Sequence, residues 1–457
     1  MTHYMRAVPI LIKTSFRRYE IRRIRIQCYM ENLKFGTDGV RGIYGKTITD
    51  EAAFRLGFAI GKEGDVLIGA DNRPSSPLLV AALAAGVKRS GGNPIFTGLI
   101  TTPALYYSLR ARSEPFAVMV TASHNPPEYN GLKVFSREGK LGETARKKIE
   151  EDAASCPFPL SYEPLAPESA IKEDYEDFLL KFAGNLSGVK IAVDLAGGAG
   201  YAFKDLLAKT GAEARVLSAR RSGERINDNC GALFPSFVAK ETAAFGALFG
   251  FALDGDGDRI AAANEKGEIL DGDRIVYLLA RKMKEAGVLK KNKVALTVMT
   301  NSGILESLSD NGIEAVSCAV GDSAVTETMK AEGLNLGGEQ SGHIVLGDLL
   351  MTGDGLLVGL ALAKIVKEEG ALPDLSGLKV YPQVLRNVPV RDKKRALSPA
   401  VRETAERIKA SFGKGRVLVR ASGTENVARV MIEHPSLRKA EEAAEDLARA
   451  IRSEDEK

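Results

Sequence analysis

In the run Asp254-Gly255-Asp256-Gly257-Asp258-Arg259, three carboxylates alternate with glycines, so the side chains can converge while the backbone turns tightly. Three hard anionic oxygens with no histidine or cysteine beside them suit magnesium, not zinc. The spacing also imitates a helix–loop–helix calcium loop, with Glu265 at the twelfth place. Arg259, however, takes the sixth position, where that loop needs glycine, and strand-like Phe251-Ala252-Leu253 stands where it has a helix. Magnesium held by a few protein carboxylates keeps positions open for phosphate, which points to a phosphorylated substrate.

Ser123 stands in Thr121-Ala122-Ser123-His124-Asn125-Pro126. Its neighbour His124 would point to the opposite face of an extended strand, and no G-x-S-x-G elbow surrounds it, so an acyl-transfer nucleophile is disfavoured. A serine in a turn is ordinarily a turn former. Its company argues for more: Asn125-Pro126-Pro127 stiffens the loop, and Lys133 follows in Asn130-Gly131-Leu132-Lys133. A phosphorylated Ser123 would carry about −1.5 to −2 charges and give magnesium a further oxygen ligand. In Arg420-Ala421-Ser422-Gly423-Thr424, a guanidinium, two hydroxyls and a glycine are the parts of a phosphate cradle. Glu339, Ser341 and His343 offer donors and acceptors suited to sugar hydroxyls. Either of these last two strings is commonplace alone. Of the four histidines, though, only His3 and His434 lie outside these loops.

The segments that must position these groups repeat. Val66–Ala70 reads as a strand leading to a helix with Ser76 as N-cap and Pro77 as its first residue, ended by Gly91-Gly92. Ala117–Val120 then runs into the Ser123 loop. Lys190–Asp194, a helix near 200–210 and Phe251–Leu253 lead to the aspartates. Val294–Val298, a helix near 302–311 and Leu334–Leu336 lead to Gly337-Gly338-Glu339-Gln340-Ser341-Gly342-His343. Strands alternating with helices predict α/β layers with each loop at a strand's carboxyl end, where such sheets bind ligands. After Pro373 the pattern changes: a β-type run Lys379–Val390, a helix, and Gly415–Val419 leading to Arg420. The expected fold class is α/β, with three similar α/β domains of mixed sheets plus a C-terminal α+β domain around a central cleft. The expected boundaries are 30–158 for the phosphoserine domain, 159–262 for the metal-binding domain, 263–373 for the sugar-binding domain and 374–457 for the phosphate-binding domain.

The chain's 457 residues are enough for roughly three or four domains. No apolar run approaches the roughly 18–20 residues that span a bilayer, so no membrane partner is expected. Cys28, Cys156, Cys230 and Cys318 lie far apart with no C-x-x-C pair, which argues against a zinc site or disulfide framework and fits a cytoplasmic location. The formal charge of +4 misleads: residues 1–29 hold seven basic side chains and one acid, leaving −2 on residues 30–457. Nothing global points to nucleic acid. Arginines interrupt every apolar stretch of residues 1–29, which excludes a signal peptide and leaves an Arg-rich transit peptide or a basic leader outside the fold, with Met30 as the natural start.

Taken together, these segments resemble the α-D-phosphohexomutase family over nearly all of residues 33–457. The resemblance rests on Phe35-Gly36-Thr37-Asp38-Gly39-Val40-Arg41-Gly42, the Ser123 loop, Asp254–Arg259, Gly338–His343 and Arg420–Glu425 in that order. It implies an isomerase that moves a phosphoryl group within a hexose phosphate, with Ser123 phosphorylated and one Mg2+ bound by Ser123, Asp254, Asp256 and Asp258. It assigns Glu339 and Ser341 to sugar hydroxyls, and Arg420, Ser422, Gly423 and Thr424 to the non-reacting phosphate. Arg41, His124, Lys133, Arg259 and His343 match positions that assist proton transfer or charge stabilisation. A hexose 1,6-bisphosphate is the implied intermediate and activator, and the protein a monomer or homodimer. Gln340 and Tyr381-Pro382-Gln383-Val384 resemble the branch that uses hexosamine phosphates, with phosphomannomutase or phosphoglucomutase activity as the alternative. Asn426 and Ser323 depart from the family pattern, where proline and arginine are expected. A sugar-phosphate phosphatase would share much of this equipment but needs water at the phosphoenzyme, and a non-catalytic sensor would usually lose the nucleophile or the metal ligands.

Overall fold

Among the described residues, three of the four sheets repeat one strand pattern, and the repeat creates the site. The computed structural model describes residues 36, 39–156, 170–393, 395–422 and 426–456. The first sheet contains β1 (Val40–Ile43), β2 (Val66–Ala70), β3 (Pro94–Leu99), β4 (Phe116–Val120), β5 (Tyr129–Ser136) and β6 (Gly139–Lys140). Its order is β1-β5-β4-β2-β3, with β6 beside β5. The second contains β7 (Lys190–Asp194), β8 (Glu213–Leu217), β9 (Phe249–Leu253), β10 (Ile260–Asn264) and β11 (Ile269–Leu270), ordered β11-β10-β9-β7-β8. The third contains β12 (Lys293–Thr297), β13 (Glu314–Cys318), β14 (Leu336–Gly338) and β15 (Ile344–Leu346), ordered β13-β12-β14-β15.

In each sheet a central strand (β2, β7 or β12) lies parallel to both neighbours, and the third parallel strand is followed by an antiparallel return. The three return pairs are β4–β5, β9–β10 and β14–β15. The links between them carry Ser123, the three aspartates, and Glu339 to His343. The expected mixed sheets, with loops at equivalent strand ends, are what the structure shows. Strands such as β9, Phe-Gly-Phe-Ala-Leu, are buried along their whole length, which is why they read as unbroken apolar runs.

The helix Ser76–Ser90 closes on Gly91, whose φ of 100° suits glycine. Its N-cap residue is Ser75, not Ser76, and the cap makes no side-chain hydrogen bond. Both hydroxyls serve the loops instead: Ser76 Oγ donates to Asp71 Oδ1 (3.0 Å), and Ser75 Oγ accepts from Asn130 Nδ2 (2.8 Å). The expected helix near 200–210 is a 3-10 turn, Ala199–Phe203, followed by the short helix Leu206–Lys209.

The boundary expected between residues 262 and 263 falls inside β10. Gly267, at φ 79°, turns the chain back, and β11 completes the second sheet through Ala262↔Leu270 and Ala263↔Ile269. One apolar core runs from Leu67 through the second segment to Leu372. The helix Gly355–Glu369 follows β15 in sequence but packs on β9 and β10, and a Cβ on Gly359 would lie 2.7 Å from the Phe251 ring. The first three sheets are thereby joined in one frame.

The fourth sheet, β16 (Gln383–Pro389), β17 (Arg416–Ala421) and β18 (Val427–Glu433), is antiparallel, ordered β16-β18-β17, and has its own core against the helices Pro399–Phe412 and Leu437–Glu456. It meets the third segment through polar contacts. Asn301 exchanges two hydrogen bonds with the Tyr381 backbone (2.8 and 2.9 Å), Ser302 N donates to Glu433 Oε1 (2.8 Å), and Arg416 Nη2 donates to Met299 O (3.2 Å). No described helix is long and apolar enough to cross a membrane.

Candidate active site

The β4–β5 link holds Ser123 in a left-handed conformation, φ 51°, with the residue almost wholly buried. A residue with a Cβ keeps that conformation only where its surroundings impose it. Here Ser123 Oγ donates to Asp254 Oδ2 at 2.6 Å, a contact across 131 positions of sequence. Nδ1 of His124 lies 3.4 Å from the same Oγ. Burial, then the charges of Arg259 and Arg41, push the His124 imidazole down to about 4, so at neutral pH it is an uncharged ring.

Asp254, Asp256 and Asp258 turn about Gly257, whose φ is 74°. All three are buried, and one oxygen from each lies within 4.8 Å of the others. Lys133 Nζ, from β5, donates to Asp256 Oδ2 (2.6 Å) and Asp258 Oδ2 (2.8 Å). Thr102 Oγ1 also donates to Asp256 Oδ2 (2.6 Å), and the Thr102 N–H donates to the Asp256 carbonyl (2.9 Å), docking the first segment on this loop.

Burial, then the charges of Asp258 and Asp256, raise the Asp254 carboxyl well above its ordinary range. Burial works the same way on Asp258, but Lys133, His343 and Arg259 outweigh it and hold that carboxyl well below the usual range. Oδ1 of Asp256 and Oδ1 of Asp258 are buried without a hydrogen-bond partner among the described residues. Orphaned carboxylate oxygens cost free energy unless a cation meets them. An all-oxygen donor set of this kind fits a hard divalent ion such as Mg2+.

The remaining candidates line the same region. Arg259 follows the aspartates directly, and its N–H donates to Asp254 Oδ1 (3.2 Å). Burial alone would lower its pKa, but the three aspartates and Glu339 raise it, so it stays cationic. His343 Nε2 accepts from the Gly353 N–H (3.1 Å), which assigns the ring proton to Nδ1, 3.9 Å from Asp258 Oδ2. A Cβ on Gly353 would lie 2.4 Å from the His343 ring, so this approach requires glycine. Glu339 accepts from the Gly321 N–H (2.8 Å) and from Ser341 Oγ (3.3 Å), which holds both sugar-site candidates in one cluster. Arg41, on β1, donates to Asn125 Oδ1 (3.2 Å).

Arg420 and Ser422 belong to the fourth sheet. Arg420 is exposed on β17 opposite Arg429, while Ser422 is buried and its N–H donates to Val427 O (2.9 Å). Gly423 and Thr424 lie outside the described residues.

Sequence reasoning missed Arg73, Asp71, Thr102 and Asn227. Arg73 is fully buried and donates to the carbonyls of Ser123 (2.8 Å), Asn125 (2.8 Å), Tyr129 (3.0 Å) and Pro126. Asn227 Nδ2 reaches Ser123 O (2.9 Å) and Asn125 O (3.0 Å) from the second segment. A signal for the first pair existed: Asp71-Asn72-Arg73 is a polar run at the carboxyl end of β2, the same place in the repeat logic as the chemical loops.

Family models for phosphoglucomutase/phosphomannomutase match the chain in three parts: alpha/beta/alpha domain I at 32–158, alpha/beta/alpha domain III at 271–380 and the C-terminal domain at 385–450. The phosphoglucosamine mutase of Caldicellulosiruptor bescii is 40% identical over 444 residues, covering 92% of this chain and 98% of that protein. That of Thermotoga neapolitana is 40% identical over 433 residues, covering 91% and 98%. Among solved structures, a phosphoglucomutase/phosphomannomutase family protein from Burkholderia thailandensis has a TM-score of 0.78 at 23% identity over 92% of this chain and 97% of its own. The N-acetylphosphoglucosamine mutase of Aspergillus fumigatus, solved with GlcNAc-6P and magnesium, has a TM-score of 0.63 at 19% identity, covering 92% and 96%. At these identities the two structures establish the shared fold.

Proposed function

The chain belongs to the phosphoglucomutase/phosphomannomutase family, and we propose that it is an isomerase interconverting glucosamine 6-phosphate and glucosamine 1-phosphate through a phosphoserine at Ser123. The observation that carries this reading is the buried Ser123 Oγ, 2.6 Å from one of three converging aspartates, with Lys133 and Arg259 beside them. The choice of glucosamine rests on the near 40% identity to phosphoglucosamine mutases over almost their whole length.

In this reading the phosphoryl group passes from Ser123 Oγ to a sugar hydroxyl, giving the 1,6-bisphosphate, and the other phosphate of that intermediate then recharges Ser123. Asp254, Asp256, Asp258 and a phosphoryl oxygen on Ser123 would hold one Mg2+, which supplies positive charge where the transferred group becomes most anionic. Lys133 and Arg259 add fixed cationic charge in a water-poor site, where it acts most strongly. Neutral His124 is placed to take or return a proton at the Ser123 side. His343, with its proton fixed on Nδ1, is placed to donate. Glu339 and Ser341 would orient sugar hydroxyls. Arg420, Ser422, Gly423 and Thr424 would grip the phosphate that is not reacting, spending its binding energy on orientation.

In this reading Arg420, on a separately cored sheet, would hold one phosphate at a time while the intermediate turns end for end between transfers. We further propose that the protein acts in the cytoplasm as a monomer or homodimer; residues 1–29 lie outside the described residues.

The test is kcat/KM for glucosamine, mannose and glucose 1-phosphates under identical bisphosphate activation. Glucosamine 1-phosphate should lead by at least tenfold, which is about 1.4 kcal/mol. A lead of that size for either other sugar overturns the substrate assignment.

A further inference from the structure

Ser123 is gripped at both ends of its peptide unit, and both grips lead to one buried ion pair. Its N–H donates to Thr121 Oγ1 (2.9 Å), and that hydroxyl donates to Asp71 Oδ2 (2.7 Å). Its carbonyl accepts from Arg73 Nη2 (2.8 Å), while Arg73 Nε donates to Asp71 Oδ2 (2.9 Å). The side chains of Asp71 and Arg73 are both 0% exposed. From the second segment Asn227 Nδ2 donates to the same Ser123 carbonyl at 2.9 Å.

A buried ion pair is weak evidence of a stability role, because well-packed apolar side chains often do as well. What apolar side chains cannot do is collect carbonyls. The rigid guanidinium fork holds those of residues 123, 125, 126 and 129 at once, which an ammonium on a flexible stem does not reproduce. The Ser123 carbonyl also abuts the metal loop, where a Cβ on Gly255 would lie 2.4 Å from it.

We propose that the Asp71–Arg73 pair, with Asn227 as its counter-clamp, is the positioning device of the reaction. It holds Ser123 in the left-handed conformation and keeps Oγ on the carboxylates, so that one oxygen donates the phosphoryl group and then receives one back. Neither side chain touches the substrate. The proposal rests on the phosphoserine reading above.

The experiment compares wild type, Arg73→Lys, Asn227→Ala and Ser123→Ala as full-length proteins with Mg2+ and glucosamine 1,6-bisphosphate. It measures kcat, KM and the single-turnover rate at which labelled bisphosphate phosphorylates the protein, with thermal melting as the check on folding. Misplacement of the nucleophile should lower kcat about thirtyfold or more in Arg73→Lys and about tenfold in Asn227→Ala. KM should stay within about threefold, and labelling should slow in step with kcat, because substrate binding is untouched. A folded Arg73→Lys or Asn227→Ala with kcat within twofold of wild type, or with its whole loss in KM, overturns the proposal. If Arg73→Lys does not fold, Asn227→Ala decides, since it leaves the ion pair intact. Turnover in Ser123→Ala would defeat the phosphoserine reading itself. An inactive Ser123→Ala beside an unimpaired Arg73→Lys defeats the clamp alone.

Discussion

Gly255→Ala should cripple the enzyme without replacing any side chain that does chemistry. The glycine's φ lies outside the left-handed region, so alanine meets no backbone penalty there. The obstacle is steric. The new Cβ would lie 2.4 Å from Ser123 O and 2.9 Å from both Asn227 Nδ2 and Ile226 Cδ1, against an ordinary contact of 3.4 Å or more. The Ser123 carbonyl must therefore retreat by about 1 Å, and it is held by Arg73 at 2.8 Å and Asn227 at 2.9 Å. Overpacking and the loss of a hydrogen bond to a charged donor should together cost about 2–4 kcal/mol of stability. A nucleophile misplaced by about 1 Å should lose about 100-fold in kcat. Steady-state kinetics of glucosamine 1-phosphate conversion and urea unfolding measure the two effects separately. Gly377→Ala is the control: nothing lies within 4 Å of its added Cβ, and it should match wild type. A folded Gly255→Ala enzyme with kcat within threefold of wild type would refute the claim that Ser123 is locked against the metal loop.

Ser123→Ala should lose nearly all turnover while melting like wild type, and peptide mass spectrometry of the wild type should find phosphate on Ser123 in a fraction of molecules. Chelation should abolish activity and Mg2+ restore it, with Asp256→Asn weakening both metal affinity, read by calorimetry, and rate. Full activity in a metal-free preparation would count against the metal role. Buried Asp273 is pushed up to about 7, chiefly by burial, so folding favours its protonated form. Its contribution to stability is complete below about pH 4, the ordinary range of a free aspartate, and is lost as pH rises through about 7. Asp273→Asn should therefore lose less stability than wild type between pH 5 and pH 8 in urea titrations, and parallel curves would contradict the assignment. A protein beginning at Met30 should keep kcat/KM within about twofold of the full chain, a difference too small to register as a lost contact.

The parts of the site that sequence revealed are those packed into short contiguous runs, and the repeat explains why. Each of the first three sheets reverses direction after its third parallel strand, and a link of a few residues there carries much of what that segment contributes. Glycines and aspartates crowded into such a link are legible by composition alone. The groups that aim these links are single residues acting over long separations. Arg73 reaches the Ser123 carbonyl across 50 positions, Asn227 across 104, and Thr102 reaches Asp256 across 154. Nothing local marks Asn227 or Thr102, and only the polar run at the end of β2 hints at Arg73, because their partners are backbone carbonyls or a carboxylate in another segment.

The three aspartates also looked interchangeable in sequence, yet the fold divides them: Asp254 receives the Ser123 hydroxyl, while Asp256 and Asp258 share Lys133. That division depends on β5 lying antiparallel to β4, which brings Lys133 opposite Met119 and back toward the end of the strand that carries Ser123. Division of labour among identical carboxylates is therefore set by sheet topology, and it requires the first and second segments to sit in fixed register. The shared core from Leu67 to Leu372 provides that register. The fourth sheet, which would hold only the non-reacting phosphate, has a separate core and joins through polar contacts at Asn301, Ser302 and Arg416. Rigid packing thus surrounds the proposed reacting atoms, while Arg420, assigned to the far end of the substrate in the proposed function, sits on a sheet with a core of its own.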